Sequence, residues 1–284
     1  MVCRVITGQK LGLEMDDDGI RREIASLSSF LSFAYLPRTA AFVSSLTPVR
    51  LRSAELWHED LMRIYREETL SSLNLLGEPD PEHHRALLDG MDQLVQGASA
   101  RPDTFAGFLQ RTHPVLVAVG ESHGNTRELY HSFVAPGSST KHVYLNLCLM
   151  YLVLCEGVFR NLGLFVLGLH DIIYPAGPNA DGHNLGLETL ADRLRQLRLG
   201  AFAAGYDRHV RNAIAHGHFV YSAASNTMRF RDYDYRRGRV TFEEVWPFER
   251  FVRQYAKLDD VYLIVACYLQ LSFLPTLGAP GRDG

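Results

Sequence analysis

The sequence predicts a mainly α-helical fold with a small β-hairpin inserted late in the chain. Three observations predict it. Apolar residues recur at helical spacing through most of the first 216 residues, the period then shortens to two, and Gly217 stands where a helix would stop. At 284 residues, with 46% apolar and 21% charged side chains, the chain has room for one large domain or two smaller ones.

The elements follow in order. Apolar periodicity over residues 20–35 predicts a first helix, which Pro37 ends. A second helix is expected over 53–76, closed by the turn Gly77-Glu78-Pro79-Asp80-Pro81, and a third over 82–95. A loop over 97–102 and a segment over 104–110 complete an N-terminal helical region, residues 1–135, to which no motif assigns a role. Pro136-Gly137-Ser138-Ser139-Thr140 marks the internal boundary, since it ends in a helix-capping residue. Residues 141–172 predict one long helix. Its Gly157, Asn161, Leu164 and Gly168 share a face open to close helix approach, either by another helix of the same chain or by a second copy. Glu156 and Arg160 are four apart and placed to pair. Although strongly apolar, this run is broken by Asn146, Glu156, Arg160 and Asn161, so it reads as a buried helix rather than a membrane span.

Residues 174–186 read as a loop, and 187–216 as helical with interruptions at Gly200 and Gly205. Strands are then expected over 219–222, 228–235 and 239–242, with Arg237-Gly238 as the tight turn. Pro247 opens a last helix towards residue 274, and residues 276–284 form a tail.

Net charge is −3, which excludes a global basic field; any affinity for nucleic acid must come from a local patch. The hairpin offers one: Arg229, Arg231, Arg236, Arg237 and Arg239 are interleaved with Tyr233 and Tyr235, a pattern that holds phosphates and stacks unpaired bases. The four cysteines lack metal-ligand spacing, and the first residues lack a charged-then-apolar signal pattern. These features predict a cytoplasmic protein with reduced thiols, no metal and no cofactor.

The segment Arg211-Asn212-Ala213-Ile214-Ala215-His216-Gly217 carries the most specific signal. An arginine and a histidine at this spacing are expected about once by chance in this composition; requiring the adjacent Asn and Gly lowers that to roughly 0.002. His216 falls at a helix C-terminus, where the dipole favours imidazolium. Asn212 and His216, four apart, share a face, so the amide can orient the imidazole, whereas Arg211 lies about 140° round from His216. A two-fold partner would pool two copies of each group in one cleft.

These residues resemble the RNxxxH signature of the HEPN superfamily, all-α domains that dimerise and include many metal-independent endoribonucleases of toxin–antitoxin, CRISPR-associated and phage-defence systems. The resemblance covers residues 136–275, about half of the chain. It implies an HEPN-like helical bundle acting as a homodimer on single-stranded or looped RNA, with an antitoxin or regulatory protein as a further partner. It implies that Arg211 binds the scissile phosphate, that His216 handles the proton of the attacking 2′-hydroxyl, that Asn212 positions its neighbours, and that a 2′,3′-cyclic phosphate is left. The branch paired with nucleotidyltransferase antitoxins has a tyrosine two residues after the histidine. Here His218 occupies that position, a departure that leaves it as a second proton carrier. Some members place an acidic residue beside the pair, which makes Glu156 an accessory candidate.

Two other readings compete. One is an inactive HEPN-like module that only binds RNA or protein. The other is a serine hydrolase, because Gly120-Glu121-Ser122-His123-Gly124 follows the apolar run Val115 to Val119 as a nucleophile elbow on Ser122 would. His83-His84 follows acidic residues but cannot converge on one ion from a helix, so it reads as a solvated face.

Overall fold

The computed structural model describes residues 16–72, 79–133, 140–175, 185–234 and 236–278, and it is mainly helical with one small antiparallel sheet. In chain order the helices are α1 (Asp17–Phe33), α2 (Pro37–Ser44), α3 (Pro48–Leu51), a 3-10 turn (Ala54–Leu56), α4 (His58–Ser72), α5 (Pro81–Ser99), α6 (Pro102–Phe133) and α7 (Thr140–Val153). A π-helical segment, Leu154–Phe159, joins α7 to α8 (Arg160–Ile173). Then come α9 (Leu187–Gln196), a 3-10 turn (Gly200–Ala203), α10 (Arg208–Ala215), strands β1 (Phe219–Ser222), β2 (Thr227–Asp234) and β3 (Arg239–Pro247), α11 (Phe248–Phe273) and a closing 3-10 turn (Leu274–Gly278). The expected boundary at 136–140, the loop at 174–186 and the tail at 276–284 lie largely outside the described residues.

The chain divides into two units: Met1–Val117 with Gly168–Pro175 and Leu263–Gly284, and Ala118–Leu167 with Ala176–Tyr262. In the first unit, α1 buries Ile20, Ile24, Leu27 and Leu31, one face at spacings of four, three and four. The start of α2 is capped from a distance: the buried Glu68 carboxylate of α4 accepts from the backbone N–H groups of Arg38 (2.7 Å) and Thr39 (2.8 Å), two of the donors a helix start leaves unsatisfied.

The expected helix over 53–76 begins only at His58. His83 and His84 are both buried, contrary to the solvated face expected for them, and His84 Nδ1 lies 3.0 Å from the Thr69 carbonyl oxygen. Their turn of α5 is part of the stripe with Leu87, Leu88 and Met91, and that packing outweighs the polar neighbours. The loop expected at 97–102 is mostly helix, because α5 runs to Ser99 and α6 starts at Pro102.

The largest correction concerns α6. Residues 115–119 are helical rather than a strand, and the helix runs unbroken through Ser122 to Phe133. A nucleophile elbow needs a strand, a sharp turn and then a helix, so the geometry removes the hydrolase reading. Gly157 and Gly168 meet α6 as well. A Cβ at Gly157 would lie 2.7 Å from Ser122 Oγ, and one at Gly168 would run into the Phe108 ring. That small-residue face is therefore filled from within the chain, not held open for a second copy.

Two helical stretches, His142–Ile173 and Phe248–Leu277, are long and apolar enough to cross a membrane, yet 56% and 72% of their most apolar windows are buried inside the protein. Cys148, Cys155 and Cys267 are free and buried, and Cys3 lies outside the described residues.

In the second unit the hairpin expected from the sequence is a three-stranded sheet of order β1-β2-β3, with β3 extended to Pro247. Alternation gives it two faces. Met228, Phe230, Asp232 and Trp246 point inward, with Phe230 against Trp246 and Phe251 at 5.4 Å each. Val220, Arg229 and Val245 are opposite one another and exposed on the other face.

Gly205 admits the backbone of α11 just before the site helix. A Cβ there would fall 2.6 Å from the Leu258 amide nitrogen and 3.0 Å from the Gln254 carbonyl oxygen, and backbone cannot rotate away. Gly205→Ala should therefore lower stability by about 1–3 kcal/mol. An unchanged urea midpoint would contradict that close approach.

Candidate functional site

Helix α10 is eight residues long and fixed at both ends. Asp207 caps its start, with Oδ1 accepting from the backbone N–H groups of His209 (2.9 Å) and Val210 (3.0 Å). The buried Tyr151 hydroxyl holds this corner by donating to the Gly205 carbonyl (3.1 Å) and accepting from the Asp207 N–H (3.0 Å). At the other end Gly217 has φ +70°, the left-handed conformation the sequence predicted. The Gly217 N–H donates to Ile214 and the His218 N–H to Ala213, the paired bonds of a Schellman ending. Val210, Ala213 and Ile214 anchor the helix in the core. Their burial turns Arg208, Arg211, Asn212, Ala215 and His216 outward or half outward.

Arg211 is held on one flank of this helix. Its guanidinium donates from Nε to Glu156 Oε1 (2.6 Å), makes a second bond from Nη2 to the same oxygen, and donates from Nη1 to Asn212 Oδ1 (2.8 Å). Glu156 lies on the π segment, and its partner is Arg211 rather than the expected Arg160. Bonds five residues apart widen the turn there, which takes residues spaced by four out of register. The arginine side chain is 28% exposed, and a guanidinium has five N–H groups, more than these bonds use.

The Asn212 amide links the two flanks. Its oxygen accepts from Arg211, and its nitrogen donates to Asp232 Oδ2 on β2 (3.2 Å). It thus orients the arginine and a carboxylate that the sequence did not single out. The same Asp232 oxygen lies 3.0 Å from His209 Nδ1, so His209 and Asp232 join the site although neither was expected in it. The one signal in the sequence was spacing: His209, Asn212 and His216 are three and four apart, a single helix face.

His216 is the C-cap residue of α10 and is exposed. Its ring lies 6.0 Å from that of His218, which meets Tyr233 edge-on at 4.7 Å. A shallow cavity of about 130 Å³ opens here, lined by Gly217, His218, Val220, Arg229, Arg231 and Tyr233. Arg231 is paired with Glu243 at 2.8 Å, which raises its pKa.

The arginine cluster expected on the hairpin is divided. Arg229 and Arg231 lie on the open sheet face with Tyr233, whereas Arg236, Arg237 and Arg239 sit at the turn between β2 and β3, where Asp234 Oδ1 accepts from the backbone of Arg236 and Arg237. Tyr235 lies outside the described residues.

Burial and the neighbouring Cys155 push the Tyr206 hydroxyl up to about 12, and its ring stacks on Phe159 of the π segment at 4.9 Å. Among the described residues no group of three or more His, Cys, Asp or Glu side chains could hold a metal ion. No family model matches this chain, and no curated protein and no solved structure is detectably similar to it.

Proposed function

We propose that the protein is a metal-independent endoribonuclease of the HEPN type that cleaves single-stranded or looped RNA by attack of the 2′-hydroxyl on the adjacent phosphate. The observation that carries this reading is the state of Arg211: a half-exposed guanidinium fixed by Glu156 and Asn212, on the helix whose exposed end is His216. RNA supplies its own nucleophile, so an oriented guanidinium for the phosphate oxygens and an imidazole for proton transfer are the groups the reaction requires. Glu156 acts as the accessory acid that aims the arginine. Arg229, Arg231, Tyr233 and His218 offer charge and stacking to the RNA leading to the helix end, with the arginines of the β2–β3 turn as outlying phosphate contacts. Arg211 and His216 leave the helix about 140° apart, which favours a homodimer in which a second copy completes the cleft. A toxin or phage-defence role, with an antitoxin or regulatory protein as partner, follows the same likeness.

The test is cleavage of a synthetic RNA in EDTA by the purified protein, with the all-deoxy strand as control. Cleavage of the RNA alone, leaving a 2′,3′-cyclic phosphate and a 5′-hydroxyl, is the expected result. Chelator-sensitive cutting or cutting of DNA would overturn the mechanism. Tight binding in a gel shift without any cutting would establish the binding module instead.

A further inference from the structure

We infer that His209 is a second catalytic residue of this site, the base that takes the 2′-hydroxyl proton, with Asp232 as its positioning residue. This rests on the RNA-cleavage reading above and divides the proton transfers between two histidines of one helix.

The tautomer of His209 is fixed by partners of opposite kind. A carboxylate only accepts, so Nδ1, 3.0 Å from Asp232 Oδ2, carries the ring proton. Arginine only donates, so Nε2, 3.3 Å from Arg208 Nε, presents its lone pair. The ring is clamped as well, stacked on Phe242 at 4.6 Å with 4° between the planes. Asp232 is buried, while the His209 side chain stays 26% exposed, so the carboxylate is shielded and the imidazole remains within reach of a substrate.

The placement suits a pair. Seven residues separate His209 from His216, which puts them within about 20° on the helix and roughly 10 Å apart along its axis. Asn212 lies between them and bonds both Asp232 and Arg211, so one chain of hydrogen bonds fixes the base on one flank of the helix and the phosphate-binding arginine on the other.

In the reaction His209 Nε2 accepts the 2′-hydroxyl proton as the 2′-oxygen bonds to phosphorus. Arg208, exposed and paired with Glu188, yields its contact to the incoming hydroxyl. The bond from phosphorus to the 5′-oxygen breaks, and that oxygen takes a proton from the His216 imidazolium. The products are a 2′,3′-cyclic phosphate and a 5′-hydroxyl, and exchange with water restores both histidines.

Two measurements decide it. The ring nitrogens of His209 in the resting wild-type protein, read by NMR, should show the Nδ1–H form, and Asp232→Asn should shift the balance towards Nε2–H. In RNA cleavage, His209→Gln should lower kcat by roughly a hundredfold or more with KM nearly unchanged, and should erase the rise in rate with pH on the acid side of the profile. An Nε2–H ring in the wild type, or a His209→Gln variant that keeps the wild-type rate and that rise, overturns the inference while leaving the nuclease reading intact. A wild-type protein that cuts no RNA overturns both.

Discussion

Arg211→Ala should abolish RNA cleavage, with kcat down by about a thousandfold or more and the helix intact. The size follows from what the group does: a guanidinium at a phosphoryl transition state is worth about 10³–10⁵ in rate. Folding should hardly notice the loss. Arg211 and Glu156 are 28% and 41% exposed, so a stranded Glu156 carboxylate stays hydrated and the pair contributes at most about 1 kcal/mol. Arg211→Lys is the sharper variant. An ammonium can bond Glu156 but cannot also hold Asn212 in the planar arrangement seen here, so most of the activity should be lost with the charge retained. His216→Ala should cost about 10²–10⁴ at an unchanged circular dichroism spectrum. Cleavage within threefold of wild type by the Arg211→Ala protein would remove Arg211 from the mechanism and, with it, the meaning given to the motif.

What could be read from the sequence was whatever depends on neighbours in the chain. Gly217 in a left-handed conformation, the shift of period after it and the turn at Gly238 are local matters, and the structure has all three. Helix α6 was hidden by the same locality. The apolar run Val115 to Val119 read as the strand before an elbow, yet Leu116 and Val119 are buried three apart while Val115 is exposed, the pattern of a helix with one face inward. Packing overrode propensity there. The site divides in the same way. Arg211, Asn212 and His216 could be named from spacing and Glu156 from the resemblance, but the contacts that orient them could not: Glu156 lies 55 residues from Arg211 on the π segment, and Asp232 reaches His209 and Asn212 because β2 runs beside α10. The expected pair of Glu156 with Arg160 failed because a helical rule was applied across a segment that is not α-helical.

Asp259→Ala should be the most destabilising single substitution in the second unit, at about 3–5 kcal/mol. Asp259 on α11 is 1% exposed and stands between two buried basic groups of α6. Its Oδ1 lies 2.8 Å from His123 Nε2 and its Oδ2 3.7 Å from Arg127 Nη2, and the His123 ring is covered by Tyr262 at 3.8 Å. Removing the carboxylate takes a buried negative charge from between His123 and Arg127, which costs more than the pair ever contributed. The pH dependence has a definite sign. Burial pushes the Asp259 pKa up, but the charge and hydrogen bond of His123, with Arg127 behind them, outweigh it and hold the carboxyl below its ordinary range. A carboxyl depressed on folding contributes stability that is complete above its unfolded pKa, about 3.9, and is lost as pH falls through the lowered folded value. The gap between wild type and Asp259→Ala in urea midpoint should therefore be wide at pH 7 and close as the solution is taken below pH 4. Asp259→Asn keeps the shape and an acceptor for His123 but not the charge, so it should fall between the two. A variant within 1 kcal/mol of wild type at pH 7, or a gap that widens in acid, would mean that α6 and α11 are held here by packing alone.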